Sequence, residues 1–372
     1  MSLFHIDAGK EWRGGQRQAF FLARELKREG YPFFFVVQPN SPLYLKAREA
    51  DLPVFPLRIR SEFDFLAMIR LALAMRRNRC LLAHFHDAHS VAVGSAAASL
   101  AKVPIRVISR RVDFPLRQNL LSKRKYRKNI DSIIAISEGV KEVLKKGGIP
   151  EQLIEVIPSG IDFSPYDEAS ASDYLRREFS FVADDYLVGI VAHLAEHKGH
   201  KYLIQATKIL KEHTDKIKVI IVGGGPLKFE LDEQARELKV EDIVYFLGFR
   251  EDIPRILCSL DLFVLSSYLE GMGSSLLDAM ACRLPVVATK TGGIPEVVVH
   301  RKTGLLVPPR SPSYLAKAIL KLYEDRDLAS RLGQRGYEVV RQKFSAEAMA
   351  VKIIGLYEKI AERKGFQLKK KE

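Results

Sequence analysis

The chain of 372 residues has little of several things, and each shortage excludes a class of protein. Its three cysteines, Cys80, Cys258 and Cys282, are scattered, odd in number and without metal-ligand spacing. A disulfide frame and a zinc module are both excluded, and a reducing cytoplasm is the expected compartment. No apolar run approaches the roughly 18 residues of a membrane span, and the first residues show no basic segment leading into an apolar one, so no signal peptide is expected. Neither G-x-G-x-x-G nor a Walker A sequence occurs, which argues against NAD enzymes and P-loop ATPases. Acid is also scarce in the first half. Residues 1–165 carry 27 Lys/Arg against 16 Asp/Glu, while the rest of the chain is nearly balanced, although the overall formal charge is +14. A basic first half implies something anionic to meet.

What is present is alternation. Short β-rich runs at 3–6, 33–37, 81–85, 105–109, 132–136 and 154–157 are separated by stretches of helical spacing such as 16–29 and 65–76. The style resumes at 187–191, 218–222, 244–246, 262–265 and 285–288, with helical stretches at 202–211 and 275–281. Strand–helix alternation predicts two Rossmann-like, doubly wound parallel sheets, an α/β architecture. The seam falls in the segment PSGIDFSP at 158–165. The expected domains are 1–162, with a C-terminal helix at about 346–372 packing back on it, and 163–345.

Ligands of open α/β sheets sit at the carboxyl ends of strands, so the strand-to-helix turns carry the chemistry. Four stand out. Trp12-Arg13-Gly14-Gly15-Gln16 offers backbone N–H groups to a phosphate. His84-Phe85-His86-Asp87-Ala88-His89 clusters three imidazoles, but no Cys or Glu group completes a metal site, so no metal is expected there. The turn from His193 to His200 sets Lys198 beside Gly199 at a helix start. The fourth, 265–280, ends a strand, passes Glu270, Gly271 and Gly273, and starts a helix near Ser274. Gly273, Ser274 and Ser275 would give N–H groups to a diphosphate, Asp278 would reach a ribose hydroxyl, and Glu270 would face a sugar.

Read together and in order, the segments WRGGQRQ (12–18), FHD (85–87), VIPSGID (156–162), KGHKYLIQA (198–206), VGGGP (222–226), FLGFREDI (246–253), EGMGSSLLDAMA (270–281) and TGLLVPP (303–309) resemble the retaining GT-B glycosyltransferases of family four. The resemblance implies a nucleotide-sugar donor, a UDP-, GDP- or ADP-sugar, held mainly by the C-terminal domain, with the acceptor held mainly by the N-terminal one and the chemistry in the cleft between them. It places Gly15 and Lys198 at the donor phosphate, His86 near the transferred sugar and Glu270 at the first Glu of the family's Glu-x7-Glu signature. Gly248 and Arg250 fall in the loop bordering the base. Three positions depart from the family's usual pattern: Asp278 replaces the second signature Glu, His193 stands where Arg is frequent, and Arg283 stands where Gly is frequent.

The implied activity is metal-independent retaining transfer by front-face substitution, with His86, Glu270 and Lys198 as catalytic residues and no cofactor required. A nucleotide-sugar 2-epimerase and a non-catalytic nucleotide-sugar-binding protein are the alternatives. Nucleic-acid binding would rest on charge alone. The basic stretch 106–128 is expected to meet an anionic or lipid-linked acceptor, through Arg110, Arg111 and Arg117, or the inner membrane face.

Overall fold

The computed structural model describes residues 1–112, 114, 126, 129–169 and 173–370. Arg117 and most of the basic stretch 115–128 lie outside the described residues. The chain divides into two compact units, Met1–Gly160 with Ala346–Glu372, and Ile161–Ser345.

In the first unit the strands are β1 (Ser2–Asp7), β2 (Phe33–Val37), β3 (Val54–Pro56), β4 (Cys80–Phe85), β5 (Ile105–Arg110), β6 (Ser132–Ala135) and β7 (Ile154–Val156). They pair in parallel in the order β3-β2-β1-β4-β5-β6-β7. In the second, β8 (Tyr186–Val191), β9 (Ile217–Val222), β10 (Val244–Gly248), β11 (Leu262–Leu265), β12 (Val286–Thr289) and β13 (Leu305–Val307) form a parallel sheet ordered β10-β9-β8-β11-β12-β13. Both sheets are doubly wound, so the expected fold class holds. Strands covered on both faces read as continuous apolar runs, which is why SLFHID, CLLAHF and IKVIIV are buried along nearly their whole length.

Two strands escaped the sequence. β3 and β13 are three residues long and lie at sheet edges. Pro56 ends β3, as proline is tolerated only at an edge. Runs this short carry little periodicity to read, although β7, equally short, was expected at 154–157.

Helix starts follow side-chain chemistry. Asp64 accepts from the Ala67 N–H at the start of Phe65–Arg77, Ser137 caps Glu138–Lys146, and Asp87 with Ser90 forms a reciprocal capping box for Ala88–Leu100. Asp325, in the Asp-x-Asp of the sequence, caps Arg326–Lys343 by accepting from Leu328 N–H at 2.8 Å. That position is structural.

The last helix, Ala346–Arg363, belongs to the first unit. Met349, Ala350, Ile353, Tyr357, Ile360 and Ala361 make one buried stripe at helical spacing and join the core that contains Leu22, Leu26 and Phe35. Tyr357 is fully buried, and its hydroxyl bonds the Nδ1 of His84 on β4. Among the described residues, no helix is long and apolar enough to cross a membrane.

Replacing Tyr357 with Phe leaves the buried His84 Nδ1 without its partner. A loss of about 1–3 kcal/mol is expected, read as a lower urea midpoint with an unchanged slope. An unshifted midpoint would show that the bond contributes nothing net.

Candidate functional site

In each sheet the strand order reverses once, between β1 and β4 in the first unit and between β8 and β11 in the second. The loops leaving those strands diverge to opposite faces and open a crevice at the carboxyl ends. Most candidate residues of the sequence lie near these two places, whereas Gly248 ends the edge strand β10, Arg250 follows it and Arg110 ends β5.

In the first unit, β1 ends at Asp7 and β4 runs into His86 and Asp87. His5, His84 and His86 lie close together, all buried, with His5 opposite His84 in register. His5 Nδ1 and His86 Nε2 share a hydrogen bond at 3.2 Å, and His84 Nε2 bonds the Ser109 hydroxyl at 2.8 Å. Burial holds all three imidazoles neutral, that of His5 pushed down to about 3. Three neutral imidazoles at this separation are the geometry of a metal site. Both nitrogens of His84 are hydrogen-bonded, and His5 and His86 bond each other, so in this structure the cluster is a hydrogen-bonded network. Two ring nitrogens are left over, His86 Nδ1 and His5 Nε2, both buried and without a hydrogen-bond partner among the described residues.

Asp7 lies beside this network. Its carboxylate accepts from Gly9 N–H at 2.8 Å and from the Gln16 amide at 3.0 Å. Burial, reinforced by the neighbouring Asp87 charge, pushes Asp7 up to about 7. Burial likewise pushes the Arg111 guanidinium down to about 10, against the pull of Asp7. Arg110 donates to the Phe114 carbonyl at 2.6 Å and lies over the Tyr126 ring. Gly15 is at the start of helix Gly14–Arg28, where no side chain caps the free N–H groups and the nearest atom to an added Cβ would be Arg111 Cδ at 3.7 Å. The turn is open.

In the second unit, the loop after β8 carries His193 to Gly199 and the loop after β11 carries Ser266 to Gly273. They are laced together: Tyr268 N–H donates to His197 O at 2.9 Å and Ser266 Oγ to Lys198 O at 3.1 Å. Gly199 makes this approach possible. Its φ is +68°, and a Cβ there would sit 2.2 Å from Ser266 O. Lys198 Nζ and Glu270 Oε2 meet at 2.6 Å, with Ser267 Oγ donating to the same oxygen at 3.2 Å. Helices His200–Lys211 and Ser274–Ala281 begin at Gly199 and Gly273, again without a side-chain cap. The N–H groups at Ser274 and Ser275 belong to the first turn of the latter, where they have no intrahelical acceptor. His193, half-buried, precedes Lys198 in the first of these loops.

Asp278 is buried and accepts from the Tyr166 hydroxyl at 2.8 Å. Gly248, at φ +67°, ends β10 with open space where a side chain would be. Arg250 is committed within the protein, bonding Glu178, Asp252 and the Tyr174 hydroxyl. Arg283 has φ +58°, a left-handed conformation that glycine adopts without cost, and its guanidinium stacks 4.0 Å over the Tyr337 ring. That backbone explains why glycine suits this position.

Sequence reasoning missed His5, Asp7 and Tyr357. His5 and Asp7 had a signal, since residues two apart on β1 share a face, as His84 and His86 do on β4. Tyr357, more than 270 residues from His84, had none.

If burial raises Asp7, the folded state binds a proton that the unfolded chain has already released. Stability then falls as pH rises from the ordinary carboxylate range toward 7. Asp7→Asn should remove that slope and raise the denaturation midpoint at pH 8 by the equivalent of about 1 kcal/mol or more. At pH 4 the two proteins should be similar. Parallel curves at both pH values would place the Asp7 carboxyl in the usual range.

Two family profiles match the chain in succession: "Glycosyltransferase Family 4" over residues 12–164 and "Glycosyl transferases group 1" over residues 172–339. The chain is 29% identical over 230 residues to the N-acetyl-alpha-D-glucosaminyl L-malate synthase of Bacillus anthracis, covering 62% of this chain and 59% of that protein. It is 32% identical over 216 residues to the GDP-mannose-dependent alpha-(1-6)-phosphatidylinositol monomannoside mannosyltransferase of Mycobacterium tuberculosis, covering 55% of each. The matched part thus spans less than two thirds of these relatives. The crystal structure of Anabaena Alr3699/HepE in complex with UDP-glucose has the same fold, with a TM-score of 0.87 at 22% identity over 96% of this chain and all of that one. With both halves matched in order and both sheets built as the GT-B fold requires, the chain belongs to the glycosyltransferases of family 4.

Proposed function

We propose that this protein transfers a sugar, with retention of configuration, from a nucleoside-diphosphate sugar to a phosphorylated, otherwise anionic or lipid-linked acceptor at the cytoplasmic face of a membrane. The observation that carries the proposal is the Lys198–Glu270 pair, which sits at the β8/β11 reversal between two uncapped helix starts. A cation and free N–H groups suit a diphosphate, and a carboxylate at the same point suits sugar hydroxyls.

Glycosyl transfer builds negative charge on the departing diphosphate and positive charge on the sugar, so fixed charge placed for both accelerates it. Lys198 leaves Glu270 for a phosphate oxygen, joined by the N–H groups at Ser274 and Ser275. In the first unit, the open turn at Gly15 offers its own N–H group to an anion. Glu270, so released, accepts from the sugar. His86 is neutral, and with Nε2 engaged by His5 its Nδ1 is the atom free to meet a sugar hydroxyl. Asp278 holds the ribose with the help of Tyr166. Arg250 shapes the base loop from behind, because its donors are already engaged. His193 lines the phosphate side in place of the more frequent Arg. Arg110 and Arg111 serve the acceptor.

The solved neighbour was crystallised with UDP-glucose, and one relative is named for GDP-mannose, so UDP and GDP lead the donors to test, with ADP third. The selecting nucleotide should raise the melting temperature by mass action, and its sugar should raise it further. Equal shifts with every nucleotide, or none, would remove the donor assignment.

Lys198→Ala should lower turnover by about 10²–10³ with the fold intact, the usual cost of losing one charge-stabilising group. Glu270→Gln should depress transfer more than nucleotide affinity, and Asp278→Ala should do the reverse. EDTA should leave the wild-type rate unchanged. A well-folded Lys198→Ala enzyme with ordinary turnover would take Lys198 out of the mechanism.

A further inference from the structure

We propose that Cys258 and Cys282 are a reversible oxidation site, a thiol pair that a peroxide closes to a disulfide and a dithiol reductant reopens. Nothing in their spacing marks a pair, since they stand 24 positions apart. The fold joins them. Cys258 directly follows helix Ile253–Leu257, Cys282 directly follows Ser274–Ala281, and the two sulfurs lie 3.2 Å apart. Both residues are free thiols and only half-buried, so a molecule the size of peroxide has access. The third cysteine, Cys80, is buried on β4 in the other unit.

An S–S bond is about 2.05 Å long, so the sulfurs need approach by only about 1.2 Å. A thiolate has to attack, and both residues sit just past helix ends, where carbonyl dipoles disfavour one. The help is local. The Cys258 S–H donates to the Ala169 carbonyl at 3.3 Å, which leaves the Cys282 S–H to serve the Cys258 sulfur. That hydrogen bond, with the Arg283 charge adding to it, holds the Cys258 thiol below its usual range against the effect of burial. The same bond, with burial and the Asp278 charge one turn earlier, pushes Cys282 up. Cys258 is therefore the nucleophile and Cys282 the resolving thiol. Burial pushes Cys80 up as well, and it has no thiol partner.

The steps balance with hydrogen peroxide as the oxidant. The Cys258 thiolate attacks one peroxide oxygen, the O–O bond breaks, and the leaving hydroxide takes the proton that Cys258 gave up and departs as water. Cys282 then loses its proton and attacks the sulfenic sulfur, the S–O bond breaks, and the second hydroxide departs as water with that proton. Two thiols are oxidised, one peroxide is reduced and two waters form. In a reducing compartment such a bond is transient, so the resting state is the thiol pair. The ring so closed runs from Cys258 to Cys282 and contains Glu270, Ser274, Ser275 and Asp278. It would restrain the proposed donor segment, but the thiol chemistry stands without that reading.

Treating the reduced full chain with hydrogen peroxide tests this. Thiols titrated in denaturant should fall from the three of the chain to one, and the intact mass should drop by two hydrogens. Digestion should yield one cross-linked peptide pair, Cys258 with Cys282, and dithiothreitol should restore every thiol. The closed ring should raise the melting temperature, and the reductant should return it. Cys282→Ser keeps the nucleophile without its resolver, so dimedone should label its sulfenic acid at least about tenfold more than it labels Cys258→Ser. The thiol count and the cross-link are read on the wild-type chain, so a variant that fails to fold leaves the test intact. Three thiols surviving a dose that oxidises free glutathione would overturn the proposal. So would a cross-link that includes Cys80 or joins two chains. Equal labelling of the two variants would overturn the assignment of Cys258 as nucleophile. A Cys258–Cys282 cross-link in a protein that binds no nucleotide, reduced or oxidised, would sustain the thiol site and sink the donor assignment instead.

Discussion

A parallel strand covered on both faces can offer a side chain to a ligand only where it ends. Everything chemical in this protein depends on that constraint. Both sheets are parallel throughout their described pairings, so the polar residues collect at the carboxyl ends and, within those, where the order of strands reverses. In the first unit this places Asp7 beside His86 and Asp87. In the second it places Lys198 beside Glu270. The same geometry supplies helix starts at each point, and the starts at Gly14, His200 and Ser274 are left without side-chain caps. In the first unit this sets Gly14 apart from the helices that begin at Pro42, Phe65, Ala88 and Glu138, each capped by a Ser or Asp.

Burial sets the electrostatic character of the first unit's site. Removing an imidazole from water disfavours its charged form, so the three histidines act as neutral hydrogen-bonding groups. Removing a carboxylate from water acts in the opposite sense on Asp7, and the partly compensating neighbours are Gln16, the Gly9 N–H and Arg111. The result is a site of weakly charged but strongly directional groups. Its order reaches the chain's far end, because the helix Ala346–Arg363 closes over the sheet and Tyr357 holds His84. An N-terminal unit cut off before that helix would expose the stripe from Met349 to Ala361 and leave His84 unpaired.

How much of this could be read from the sequence follows from separation along the chain. Strands such as 33–37 and 262–265 were legible to the residue, because an apolar run between turn residues is a local signal. Lys198, Glu270 and Gly273 were legible as turn residues for the same reason. That Lys198 and Glu270 form one ion pair was not, since 72 residues separate them and only the β8/β11 neighbourhood brings them together. Tyr166 on Asp278 and Glu178 on Arg250 are likewise distant in sequence. The glycine run 223–225, part of a segment that carries the family resemblance, is a packing device. An added Cβ at Gly225 would lie within 3 Å of the Leu194 backbone, against which that loop rests.

If Lys198 and Glu270 bind the donor as proposed, their ion pair also bears on which ligand the second unit prefers. Lys198 and Glu270 are both largely shielded from water, with side-chain exposures of 21% and 11%, so splitting them without replacement leaves an unpaired, poorly solvated charge. A nucleoside diphosphate alone can satisfy Lys198 but strands Glu270. A free sugar can satisfy Glu270 but does nothing for Lys198. Only a ligand that carries phosphate and sugar hydroxyls in one molecule replaces both halves of the contact at once. The pair therefore penalises partial ligands more than complete ones. Under the proposed function, the departing diphosphate would no longer carry the sugar after transfer, Glu270 would be left without its hydroxyls, and re-forming the Lys198–Glu270 contact would compete with the product for the same ammonium group.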